Sequence, residues 1–193
     1  MENNIVIDII IVFVKALKSN AVIFNNNHKQ YKIHSPKYLL NQILRQYEIA
    51  DDHYLLSKKA EQLWTKITNE DIKNYHYRNT VFCENDESIK VKIFKNNSNI
   101  FEEKILNKND KFVYNDIFHN EHIIPIEIII EQLTLLENQN KLNYENVKNV
   151  LNSIYVCRML KEEDRRIKYK YKRPFNLNYI IDNIYKEAGI EIF

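Results

Sequence analysis

The residues of this chain best suited to chemistry lie in the segment His119-Asn120-Glu121-His122, which ends a β-like stretch shortly before Pro125. A glutamate can hold a divalent cation through its carboxylate oxygens. A histidine is the side chain best suited to take a proton from water near neutral pH. The adjacent pair therefore predicts a metal ligand beside a general base. The alternative is a polar turn, in which His119 is a turn residue or a substrate contact.

A second group of functional side chains begins thirty residues after His122. It contains Asn152, then Cys157 and Arg158, then three consecutive acids, Glu162, Glu163 and Asp164. An arginine can clamp a phosphate oxygen, and the acids can supply further metal ligands. The alternatives are that the acids are favourable charges at a helix N-terminus and that the cysteine is a small buried hydrophobic residue.

The charge of the chain is unevenly distributed, although the formal net charge is only +2. Residues 158–173 contain eight Lys or Arg and three Asp or Glu, whereas the rest of the chain contains 20 basic and 23 acidic residues. A localised basic segment predicts an anionic partner. In an extended conformation its lysines would face phosphates, and its tyrosines would stack on bases or pack on the core. The predicted DNA contacts are Arg165, Arg166, Lys168, Tyr169, Lys170, Tyr171, Lys172 and Arg173. The alternative is a solvated, charged edge strand.

Several classes of protein and site are excluded by composition. The single glycine, Gly189, excludes glycine-rich phosphate loops of the P-loop or dinucleotide type, and no organic cofactor is expected. Cys83 and Cys157 form no CxxC motif, which argues against a structural zinc site. The apolar run Ile5 to Val14 is only ten residues long and contains Asp8, so it predicts a buried helix rather than a membrane span. With no signal peptide visible, we expect a reduced cytoplasmic location.

Hydrophobic periodicity predicts an α+β fold with a helical N-terminal part and a small antiparallel β section. The predicted helices cover residues 4–19, 36–47 and 54–67, with turns at 25–27 and 96–99 and a short segment capped by Asn69. Strands are expected at 80–82, 89–93, 100–106 and 111–118. Pro125 is expected to begin a helix, and Asn143 is expected to cap a second one. Residues 153–160 are expected to form a strand. A further helix is expected to start at residues 162–164, and residues 176–188 are expected to form the last helix.

The segment around residues 119–164 resembles the HNH, or ββα-metal, nucleases. In that family a hairpin and the following helix hold one divalent cation. The resemblance implies that Glu121 is a metal ligand, that His122 is the general base, and that Asn152 orients the imidazole. The family's ligand at the helix start would fall on Lys161, which cannot ligate a metal while protonated. We therefore expect the neighbouring acids to replace it, with Glu163 and Asp164 ahead of Glu162. The long interval after His122 predicts a helical insertion between the hairpin strands.

Within that family, residues 90–170 look most like the NlaIII-type type II restriction endonucleases. This resemblance implies a homodimer that uses Mg²⁺, or another divalent cation such as Mn²⁺, to cut double-stranded DNA at a short palindrome such as CATG. The alternatives are a nonspecific or nicking HNH nuclease and a nucleic-acid-binding regulator without catalysis. The expected layout is a helical part, residues 1–79, for DNA binding or dimerisation, and a nuclease part, residues 80–193, or else one continuous domain.

Overall fold

The computed structural model describes residues 2–18, 23–26, 29–32, 35–76, 78–94, 100–168 and 172–193. The expected mixture of helices and small sheets is confirmed. The helices are α1 (Glu2–Lys15), α2 (Pro36–Arg45), α3 (Lys58–Ile67), α4 (Tyr114–Ile117), α5 (Ile126–Asn138), α6 (Tyr144–Leu151), α7 (Lys161–Asp164) and α8 (Leu177–Tyr179). Helix α8 continues into a π-helical turn, Ile180–Tyr185, and short 3₁₀ turns cover Ala16–Lys18, Asp51–His53 and Ile72–Asn74.

The strands are short and form four small sheets among the described residues. They are β1 (Ile23–Asn26), β2 (Lys29–Lys32), β3 (Tyr54–Leu56), β4 (Thr80–Phe82), β5 (Ile89–Phe94), β6 (Phe101–Leu106), β7 (Lys111–Val113), β8 (Phe118–His122) and β9 (Val156–Leu160). Three sheets are antiparallel pairs: β1 with β2, β4 with β7, and β5 with β6. In the fourth, β9 lies between β3, to which it is parallel, and β8, to which it is antiparallel.

The chain divides into two compact units, each built from separate stretches of sequence. The first unit contains Met1–Ile49, Ile124–Ile154 and Tyr171–Phe175. The second unit contains Ala50–Ile123, Tyr155–Lys170 and Asn176–Phe193. The boundary at residues 79–80 expected from the sequence does not coincide with any of these divisions.

The first unit is built around α1, α2, α5 and α6, which pack on one another. Its buried apolar residues recur at helical spacing, as in Ile7, Ile10 and Val14 of α1. Helices α5 and α6 both come from the segment between β8 and β9, so two helices separate these paired strands in sequence. No helix in the described part of the chain is long and apolar enough to cross a bilayer.

The second unit contains the three-stranded sheet, the two small pairs β4–β7 and β5–β6, and helices α3, α4 and α7. An aromatic cluster lies at the centre of its core. The rings of Trp64 and Phe118 are 5.4 Å apart, and those of Tyr114 and Phe118 are 5.2 Å apart. Trp64 is 3 % exposed, and Tyr114 and Phe118 are fully buried. This cluster joins α3 to β8 and α4.

Four expected features differ from the structure. Residues 54–56 form β3 rather than the start of a helix, because Ser57 caps α3 by accepting a hydrogen bond from the Ala60 N–H. The expected strand 111–118 is divided into β7, α4 and the start of β8. Asn25 and Asn26 belong to β1 rather than to a turn. The expected turn at 96–99 lies outside the described residues, and Asp71, rather than Asn69, caps the short segment Ile72–Asn74.

The caps of α2 and α6 are confirmed. Ser35 accepts a hydrogen bond from the Tyr38 N–H at 3.3 Å, and Asn143 accepts one from the Asn146 N–H at 3.0 Å. Each cap satisfies a backbone donor that has no partner inside the helix. The sequence therefore places the first turn of both helices correctly.

The Asn143→Ala variant should be less stable than the parent protein by about 1 kcal/mol, because it removes the side-chain acceptor at the start of α6. The measurement is the free energy of unfolding from urea titration followed by circular dichroism. Asn149→Ala is the matched control, since Asn149 is exposed inside the same helix. Equal destabilisation by both variants would contradict the capping argument.

Candidate metal centre

Strand β8 brings His119 and Glu121 to the same face of the sheet. Side chains of a strand alternate between faces, so residues two apart share one. His119 Nε2 lies 3.3 Å from Glu121 Oε2. Pairing with β9 holds this stretch, with His119 opposite Met159 and Glu121 opposite Cys157.

Asp164, the last residue of α7, completes the group. Its Oδ1 is 4.0 Å from His119 Nε2, and the ligand atoms of all three residues lie within 4.8 Å of one another. The two carboxylate side chains are only 14 % and 13 % exposed, for Glu121 and Asp164, whereas the imidazole is 35 % exposed. The group is therefore sheltered on its carboxylate side and accessible at the histidine.

These three side chains could hold one divalent cation. Two ligand atoms that are each about 2.1 Å from a cation lie at most about 4.2 Å apart. The distances from His119 to Glu121 and to Asp164, 3.3 and 4.0 Å, are within that limit. Two carboxylates suit Mg²⁺ or Mn²⁺, and an imidazole nitrogen shifts the preference towards transition metals. Sequence reasoning did not propose His119 as a candidate ligand, although its spacing of two from Glu121 on a predicted strand is the signal that finds it.

Of the three consecutive acids considered as ligands, only Asp164 lies in the group. Glu163 is 1 % exposed, and its Oε2 accepts hydrogen bonds from the Ser57 hydroxyl at 2.5 Å and from the Leu160 N–H at 3.0 Å. Its carboxylate is therefore used to fix the start of α7. Glu162 forms an ion pair with Lys92 at 2.8 Å.

The predicted base, His122, and the residue predicted to orient it, Asn152, are not part of the candidate ligand group. His122 is the last residue of β8, on the face opposite to Glu121 and shared with Asn120. Asn152 is exposed at the C-terminal cap of α6, in the first unit. The roles of His122 and Asn152 stay predictions.

The side chain of Arg158, which was predicted to clamp a phosphate, is buried and bound to the backbone of its own chain. It is 5 % exposed, and its guanidinium donates to the backbone carbonyls of Ile72, Lys73 and Tyr75. It also lies over the ring of Tyr54, with 5.2 Å between Cζ and the ring centroid. These contacts anchor β9 to the 3₁₀ turn Ile72–Asn74, because the guanidinium satisfies carbonyls at the end of that turn.

The basic run is not extended where the structure describes it, since Arg165 and Arg166 form a turn after α7 and Lys168 lies in a bend. The guanidinium of Arg165 stacks 3.8 Å above the Phe94 ring centroid, and Arg166 lies 3.8 Å from Glu163. Arg173 is only 2 % exposed. Exposed positions suited to phosphate are Lys168 and Lys172. Tyr169, Lys170 and Tyr171 lie outside the described residues.

Two further ionisable groups border the candidate centre. Lys161 is buried, and desolvation together with the nearby Arg165 lowers its pKa, against the opposing effect of Asp116 and Asp164. Burial raises the pKa of the Cys157 thiol, and the charges of Glu163 and Glu121 raise it further. The candidate ligand group contains His119, Glu121 and Asp164, without this thiol.

Comparisons of the chain with protein-family models, with curated proteins and with solved structures found no match. The function of the centre has to follow from its own residues.

The adjacent acids Glu163 and Asp164 should respond differently to alanine. Glu163→Ala should lower the free energy of unfolding by about 1–3 kcal/mol, because it leaves the Ser57 hydroxyl and the Leu160 N–H without their buried acceptor. We expect Mn²⁺ to raise the melting temperature of the parent protein, and Asp164→Ala should retain its fold but lose this rise. Urea unfolding without metal and thermal unfolding with and without Mn²⁺ measure the two effects. An unchanged response of Asp164→Ala to Mn²⁺ would remove this residue from the centre.

Proposed function

We propose that this protein is a divalent-metal-dependent, sequence-specific DNA endonuclease of the HNH, or ββα-metal, kind, most like the type II restriction endonucleases. The observation that carries the proposal is the convergence of His119, Glu121 and Asp164, whose ligand atoms lie within 4.8 Å of one another. Glu121 is the ligand expected from the sequence, and Asp164 is one of the three acids considered for the helix.

The order of elements around this group supports the proposal. Strand β8 is antiparallel to β9, and α7 follows β9 without an intervening loop. A ββα-metal site has its ligands on the first strand and on the helix, and the proposal assigns them to β8 and α7. Helices α5 and α6 lie in the segment between the two strands, where the resemblance implies a helical insertion.

Phosphodiester hydrolysis needs several chemical roles, which the residues of the proposed site would fill. The reaction needs a nucleophilic water, neutralisation of the charge on the phosphate, and stabilisation of the leaving oxygen. A bound cation supplies the last two. His119, Glu121 and Asp164 would hold this cation. The resemblance implies that His122 takes the proton from water, although alternation along β8 places it on the face opposite to Glu121. It also implies an orienting role for Asn152.

Double-stranded DNA is the proposed substrate, and the exposed Lys168 and Lys172 are available for its phosphates. A palindromic site consists of two symmetric half-sites, which are read naturally by two symmetric subunits. A homodimer is therefore part of the proposal. A CATG-type site follows only from the resemblance of the sequence.

The decisive experiment is digestion of λ DNA by the purified protein with Mg²⁺, with Mn²⁺ or with EDTA. We expect discrete fragments with either metal and none with EDTA, and we expect Mn²⁺ to support cleavage at lower concentration because an imidazole is among the ligands. A metal-dependent smear would indicate a nonspecific nuclease. A salt-sensitive mobility shift without cleavage in either metal would contradict catalysis and favour a DNA-binding regulator.

Three variants divide the roles within the proposed site. His122→Ala should abolish cleavage yet retain DNA binding and the Mn²⁺-induced rise in melting temperature, because it removes the base and leaves the ligands. His119→Ala should lose that rise together with most of the cleavage. Glu162→Gln is the matched control, since Glu162 pairs with Lys92 outside the ligand group, and it should cut normally. Persistent cleavage by His122→Ala would assign the base elsewhere.

A further inference from the structure

Strand β6 has an edge that no other strand covers within the described part of the chain. It pairs with β5 along one side, from Phe94 opposite Phe101 to Ile89 opposite Leu106. Every residue of β6 from 101 to 105 is exposed. Such an edge carries backbone N–H and C=O groups that can pair with another strand.

Apolar side chains lie at both ends of the exposed part of this edge. Phe101 is 45 % exposed and Ile105 is 58 % exposed, and the preceding Ile100 is 71 % exposed. Between them lie Glu102, Glu103 and Lys104. The strand therefore presents an apolar residue, three charges, and a second apolar residue in sequence.

This pattern is complementary to itself in one antiparallel register. When a strand pairs with a symmetric copy of itself, one residue lies opposite its own equivalent, and the residues on either side pair across the two-fold axis. With Glu103 at the centre, Glu102 of each copy lies opposite Lys104 of the other. Phe101 of each copy lies opposite Ile105 of the other, so the register gives two opposite-charge pairs and two apolar pairs.

The like charges at the centre of this register are already compensated. Glu103 Oε2 lies 2.6 Å from Lys90 Nζ of β5 in the same chain. Two ammonium groups therefore flank the two central carboxylates. The neighbouring register, centred on Lys104, places lysine against lysine and Glu103 against Ile105, so the register centred on Glu103 is favoured.

We propose that a second copy of this chain binds the edge of β6 that no described strand covers, so that the two β5–β6 pairs form one four-stranded antiparallel sheet. The inference supplies an interface for the homodimer of the proposed function, and it is argued from the exposure and charge pattern of β6. A protein that dimerises through β6 without cutting DNA would contradict the proposed function alone. An edge of six residues is small for a protein interface, so the association should depend on protein concentration in the micromolar range.

The test is sedimentation velocity of the full chain from about 1 to about 200 μM, the range in which a small interface associates. The parent protein should shift from monomer to dimer. Lys104→Glu should raise the dissociation constant at least about tenfold, because it turns both attractive pairs into repulsive ones. Combining Glu102→Lys with Lys104→Glu should restore the dimer, since the charges are exchanged and the pairs are kept. Lys141→Glu, an equal change of charge at an exposed lysine of the first unit, is the matched control and should behave as the parent.

A second measurement covers the possibility that Lys104→Glu fails to fold, which circular dichroism would reveal. Glu103→Cys places a thiol on the proposed two-fold axis, and mild oxidation should give a disulfide-linked dimer on a non-reducing gel. The native Cys83 and Cys157 are buried and serve as the internal background. A parent protein that stays monomeric across the whole range, or a dimer unaffected by Lys104→Glu and not cross-linked through Glu103→Cys, would overturn the proposal. In the second case the exposed apolar residues Ile5, Ile9 and Val12 of α1 would be the next surface to test.

Discussion

The buried carboxylate of Glu163 is the interaction on which the candidate centre depends. It joins the start of α3, through the Ser57 hydroxyl, to the start of α7, through the Leu160 N–H. A carboxylate that is 1 % exposed is costly unless its oxygens are hydrogen-bonded, so these contacts favour one orientation of α7. The next residue is Asp164, whose position beside His119 and Glu121 is thereby fixed. The buried Glu163, which lies outside the candidate ligand group, thus positions Asp164, which lies inside it.

The sequence predicts much of the helical structure because local signals determine it. Ser35 and Asn143 mark the starts of α2 and α6, and both caps are present. Strand β3 could not be predicted in this way, because its pairing partner β9 is about a hundred residues away in the chain. Its three residues continue smoothly into the apolar pattern of α3, so periodicity alone extends the helix backwards.

The candidate site was only partly predictable for a different reason. Residue type and spacing identify Glu121 and Asp164 as possible ligands, but they do not report burial. Arg158 and Arg173 look like phosphate contacts in a basic run, yet both are almost completely buried, and Arg158 binds three backbone carbonyls. In the sequence alone, these two arginines cannot be distinguished from exposed lysines of the same charge. Only packing separates cations that stabilise the fold from cations that face solvent.

The face on which the ligands lie is determined by the aromatic core rather than by a turn. Two helices separate β8 from β9, so no short hairpin sets their register. Phe118 instead anchors β8, because it is fully buried and packs on Trp64 and Tyr114. A slip of one residue would send Phe118 to the opposite face and bring His119 into the aromatic core, which would expose a large apolar ring and bury a polar one. The same packing that excludes this slip keeps His119 and Glu121 together on the face of Asp164.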